Sequence, residues 1–176
     1  MENLLFHPAV VHLPIGIAIL LPFITLLFIV LRWKGRMDNK CFSFIIILHF
    51  LLSISAYAAM ATGDKQEHRV EKVVEKKHIK EHEERAESFF IFSIILLATS
   101  FALYFTAQKN YFISATSALL LLQFILLFLG YRVGEAGGDL VYKYGAANAY
   151  LSPTQNIGTG TMPPSENLGN GDHDDD

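Results

Sequence analysis

The chemistry open to this chain is largely that of imidazole. Its seven histidines are His7, His12, His49, His68, His78, His82 and His173. The single cysteine, Cys41, excludes an internal disulfide, a thiolate metal cage and an iron–sulfur cluster held by this chain alone. A metal or cofactor must then be held by histidine, carboxylate or backbone, and neutral imidazoles suit haem iron, zinc and copper. His7 and His12 stand in Phe6-His7-Pro8-Ala9-Val10-Val11-His12-Leu13-Pro14-Ile15, while His78 and His82 have the i, i+4 spacing of metal ligands on one helical face. Further on, Gly130, Gly134, Gly137 and Gly138 put four glycines into nine residues. Glycine weakens a helix, so something must approach that backbone closely: a neighbouring helix, or a flat macrocycle or quinone ring. Glu135 and Asp139 could orient an imidazole there, or pair with Arg132 and Lys143.

The elements that must position these residues are hydrophobic. Of the 176 residues, 52% are hydrophobic and 18% charged. The apolar residues fall into four uncharged blocks, Leu4 to Leu31, Cys41 to Gly63, Ser88 to Gln108 and Asn110 to Tyr131. Each meets the roughly 20 residues a helix needs to cross the hydrocarbon core. The first block lacks a basic leader and is too long for the core of a cleaved signal. The predicted fold is therefore all-α, a four-helix transmembrane bundle over residues 1–150. Residues 151–176 form a polar, acidic tail that cannot bury enough apolar surface to fold. The net charge of −3 gives no footing for nucleic acid, so the expected environment is the lipid bilayer.

Loop charges suggest an orientation. Arg32 to Lys40 carries four basic residues against one acid, the positive-inside pattern of a cytoplasmic loop. Both termini of an even-numbered bundle would then lie on the outer face. The segment from Asp64 to Glu87 mixes seven Lys/Arg with eight Asp/Glu and reads as a solvated helical extension of the second and third helices. A tight link at Gln108-Lys109-Asn110 makes the third and fourth helices antiparallel neighbours. Six of the seven histidines collect at the outer face. His49 is the exception, eight residues past Cys41 and roughly 12 Å into the bilayer from the other side. It is about 20 Å in depth from His12, too far to share one metal ion with it.

Three segments resemble a bacterial membrane family known as domain of unknown function 2231. They are His7-Pro8-Ala9-Val10-Val11-His12-Leu13-Pro14-Ile15, then His82, then Gly134-Glu135-Ala136-Gly137-Gly138-Asp139-Leu140-Val141-Tyr142-Lys143-Tyr144-Gly145. The chain departs from the family pattern at Leu13, where Phe is usual, and at Tyr144, where many relatives carry His. The resemblance implies four helices in a bacterial inner membrane. By association with relatives fused to c-type cytochrome or Rieske-like domains, it also implies an electron-transfer setting.

The function expected from these residues is a non-enzymatic electron-transfer subunit binding haem b at the outer face. His12 and His82 would be the axial ligands and His7 the substitute, with Gly130, Gly134, Gly137 and Gly138 seating the ring. Electrons would pass to or from a quinone or a periplasmic partner. Two alternatives stand beside it. One is an outer-face zinc or copper site built from His7, His12, His78 and His82. The other is a structural or assembly subunit, with no cofactor, whose histidines and glycines serve packing alone.

Overall fold

A computed structural model describes residues 6–105 and 111–150. The link at Gln108-Lys109-Asn110 and the tail with His173 lie outside the described residues. The described chain is helical: α1 (Phe6–Val10), α2 (His12–Trp33), α3 (Phe42–Val70), α4 (Lys76–Phe105) and α5 (Phe112–Tyr142). Short 3₁₀ turns cover Asn39–Cys41 and Ala146–Tyr150. Four spans, His7–Trp33, Asn39–Val70, Lys76–Phe105 and Phe112–Tyr142, are long and apolar enough to cross a membrane. They cover most of the four uncharged blocks, and α3 and α4 continue beyond the blocks into charged sequence, as the interleaved charges predict. The extension is broken at Glu71–Glu75, where the chain turns between α3 and α4.

On each of the four long helices, most buried positions recur at alternating steps of three and four. They are Pro14, Ala18, Leu21, Thr25 and Phe28 on α2, and Phe42, Ile45, His49, Leu52, Ala56 and Ala59 on α3. On α4 they are Phe89, Ser93, Leu96 and Ser100, and on α5 Phe112, Thr116, Leu119, Gln123 and Leu126. A seven-residue repeat of this kind winds helices around one another in a left-handed supercoil. Neighbouring pairs around the ring are α2 with α3, α3 with α4, α4 with α5 and α5 with α2. Outside it, large apolar side chains such as Phe23, Phe50, Ile54, Phe124 and Phe128 are exposed. In a bilayer those faces meet lipid rather than water.

The two ends of the bundle differ. Phe28, Phe42 and Phe112 close one end, with ring centroids 5.3 to 6.3 Å apart and edge-on or tilted geometry. At the other end a small second core of Val74, Ile79 and Ala146, backed by Val70, Leu140 and Tyr144, sits above the membrane-spanning part. Gly145, at φ +72°, takes the left-handed turn that ends α5 and returns the chain over the bundle. The Tyr150 hydroxyl then donates to Gln66 Oε1 at 2.9 Å while Arg69 lies over its ring. The turn between α3 and α4 and the turn after α5 are thus fastened together at the end that holds most of the histidines.

Candidate functional site

A layer of two imidazoles and two glycines lies beneath this cap. His7 on α1 packs against Gly63 on α3: a β-carbon built there would meet His7 Cε1 at 3.3 Å. His82 on α4 packs against Gly137 on α5, where the corresponding distance is 3.1 Å. Each ring fills the space its glycine leaves, so bulk and absence of bulk alternate around the layer. Gly63 and Gly137 stand fourteen residues beyond His49 and Gln123, which touch, so the two rings lie at one level of the bundle.

Thr62 Oγ1 sits 3.0 Å from His7 Nδ1, and the Thr62 hydroxyl is also within reach of the carbonyls of Ala58 and Ala59. With the hydroxyl proton turned to those carbonyls, the threonine oxygen accepts from Nδ1, and Nε2 is then the unprotonated nitrogen of His7. Among the described residues, His82 Nδ1 is buried without a partner. If the ring carries its proton on Nε2, Nδ1 is the nitrogen with the free lone pair. One turn earlier, His78 has Nε2 4.0 Å from Glu75 and a buried Nδ1 without a partner, and its ring stacks on Tyr144 at 3.7 Å and 13°. Buried nitrogens left unpaired are uncommon in folded proteins and call for a cause. An imidazole with one nitrogen tied to an acceptor and the other free is the state in which histidine binds a metal.

The other candidate residues take different places. His12 is exposed at the start of α2, one position beyond the packed line that runs through Val11, Pro14 and Ala18, so it does not join His82. His68 is exposed on α3. The glycine stripe is also divided. Counting 3.6 residues per turn aligns Gly130, Gly134 and Gly137 with Gln123, but the supercoil follows the sevenfold series Gln123, Gly130 and Gly137. A β-carbon built at Gly130 would meet the Phe89 ring at 3.2 Å and one at Gly137 the His82 ring, whereas among the described residues nothing lies within 4 Å of one built at Gly134 or Gly138. Side chains of α4 hold the seat expected for a macrocycle, and the residues present do not fit a flat ring lying there. Glu135 pairs with Arg132 at 3.4 Å and with Arg85 at 3.5 Å, and Asp139 pairs with Lys143 at 3.7 Å. These carboxylates balance cations rather than orient an imidazole. Among the described residues, no three His, Cys, Asp or Glu side chains are grouped to hold a metal ion. Two imidazoles are what the layer offers.

His49 occupies a second polar layer. Its Nδ1 donates to the Ile45 carbonyl at 2.9 Å, and its Nε2 accepts from Gln123 Nε2 at 3.3 Å. The same amide donates to Thr25 Oγ1 at 2.9 Å, tying α2, α3 and α5 together. Ser93 on α4 donates to Ser53 at 3.2 Å and to the Phe90 carbonyl at 2.7 Å, and Ser53 donates to the His49 carbonyl at 3.0 Å. Both ring nitrogens of His49 are used, so this histidine is a packing element. Sequence reasoning missed Thr62 and Gly63, the residues that orient and seat His7. The signal available was the sevenfold step, since Gly63 follows His49 by fourteen residues on the same line.

The family model described as predicted membrane protein (DUF2231) matches residues 4–150. No curated protein and no solved structure matches the chain. The matched stretch takes in all four spans, the His7 and His82 layer and the turn after α5, and the chain belongs to this family of predicted membrane proteins.

Proposed function

We propose that the protein is a membrane-embedded metal-holding subunit, binding one late first-row transition-metal ion between His7 and His82. The supporting observation is the buried, unpartnered Nδ1 of His82 at the level of the His7 ring. With the Thr62 oxygen accepting from His7 Nδ1, the nitrogen His7 would offer is Nε2. Imidazole suits zinc and copper, and two protein ligands leave further positions for water or for a ligand supplied from outside. In this reading the chain lies in a bacterial inner membrane with the basic Arg32–Lys40 loop in the cytoplasm. The histidine layer and both termini then face the periplasm. A redox-active metal would make the site an electron-transfer station for a quinone, a c-type cytochrome or a Rieske-like protein. Zinc would make it a binding or structural site.

The test is metal content and titration of the purified full chain, read beside its visible spectrum. One zinc or copper ion per chain, lost in both His7→Ala and His82→Ala and kept in His12→Ala, is the expected result. A Soret band that disappears in the same two variants would replace the free ion by haem iron on the same nitrogens. Protein that takes up neither metal nor haem at stoichiometric level would leave packing as the role of the layer.

A further inference from the structure

The opposite end of the molecule carries a surface that none of this chemistry uses. Between α3 and α4 runs an open groove of about 460 Å³ with no polar lining. Ile46, Ile47 and Phe50 form one wall, and Ile94, Ala98 and Phe101 the other. From Ile94 to Phe101 it extends roughly 10 Å along the helix, much of the ~15 Å depth of one leaflet. Ala98 gives it its hollow, being the one small side chain among large ones.

The groove continues toward the membrane surface as a polar stripe. On the span that begins at Asn39, the positions Lys40, Ser43, Ile47 and Phe50 follow one another at steps of three and four, so they share one helical face. Lys40 and Ser43 are both exposed, and the Ser43 hydroxyl reaches back to the Lys40 carbonyl at 2.7 Å. Lys40 belongs to the loop in which Arg32, Lys34, Arg36 and Lys40 face a single acid, Asp38. A cation at headgroup level directly above an apolar trough has the charge and polarity of one particular neighbour. We propose that this face binds an anionic phospholipid, with the phosphate at Lys40 and one acyl chain laid between α3 and α4. Basic groups at a membrane surface favour anionic lipid, and a groove within the bundle surface turns that attraction into a defined site.

Native mass spectrometry of the full chain, transferred from micelles holding equal amounts of phosphatidylglycerol and phosphatidylcholine, tests this. The expected spectrum shows one retained phosphatidylglycerol. Ala98→Phe fills the trough and removes the adduct. Lys40→Gln, an exposed change that leaves the core alone, lowers the preference for phosphatidylglycerol about fivefold. Lys34→Gln, with the same loss of loop charge off the stripe, keeps it. Equal retention of the two lipids by the parent chain, or equal effects of the two lysine changes, overturns the proposal. So does a parent chain that is dimeric and becomes monomeric in Ala98→Phe, because the groove would then seat a second copy.

Discussion

The two histidine layers lie fourteen residues apart on α3, from His49 to Gly63, and fourteen apart on α5, from Gln123 to Gly137. That is two seven-residue repeats, about four helical turns and about 21 Å along the bundle. They solve the problem of a polar ring among apolar helices in opposite ways. In the His49 layer every imidazole nitrogen has a partner, supplied by Ile45 and Gln123, and hydroxyl groups from the other helices complete the set. In the His7 and His82 layer, glycines face the rings, Thr62 lies against Nδ1 of His7, and Nδ1 of His82 is buried with no partner among the described residues. The same side chain is structural where its second nitrogen is tied, and where it is not it keeps the lone pair that a metal would need. Even the first layer is not perfectly closed, for Gln123 Oε1 is buried without a partner. The orphan there is an amide oxygen and not the imidazole.

This contrast predicts separable effects. The largest belongs to His49→Ala, which empties a buried position and strands Gln123. Unfolding in micelles should show a loss of about 2–4 kcal/mol with metal uptake unchanged. If metal uptake fell with it, the two layers would not be independent. Thr62→Val comes next. It removes the acceptor that fixes the His7 tautomer, so metal affinity should drop by about 10- to 100-fold while stability changes little. Affinity equal to that of the parent chain would remove Thr62 from the site. The smallest stability effect belongs to His82→Leu, which trades a buried, unpartnered nitrogen for carbon. Its unfolding free energy should stay within about 1 kcal/mol of the parent and move toward greater stability, as metal uptake disappears. A destabilisation comparable to that of His49→Ala would mean that His82 is a packing residue as well.

Most of the fold was legible because hydrocarbon permits few alternatives. A stretch of about 20 uncharged residues has to be a helix when every backbone group must be satisfied within the segment, and four such stretches define the bundle. The gathering of His7, His78 and His82 at one end of the molecule was also legible, from the even number of spans. The site's membership was harder to read. His12 and His7 look alike in sequence, and only the line along which α1 and α2 pack separates them, with His7 inward and His12 exposed. The glycine stripe misleads for a related reason. A straight helix would carry Gly134 to the contact face, whereas supercoiling carries Gly130 and Gly137 there. Thr62 escaped notice because its role depends on where its own proton goes, to the carbonyls of Ala58 and Ala59. Nothing in its type or spacing says that.

The most direct test of the difference between the layers is nitrogen NMR of the histidine side chains in the full-length protein, recorded in micelles during a zinc titration. The resonances of His7 Nε2 and His82 Nδ1 should shift together and saturate at one zinc per chain, while both nitrogens of His49 keep their positions. Movement of the His49 nitrogens, or a titration that leaves His7 and His82 unmoved, would contradict the account.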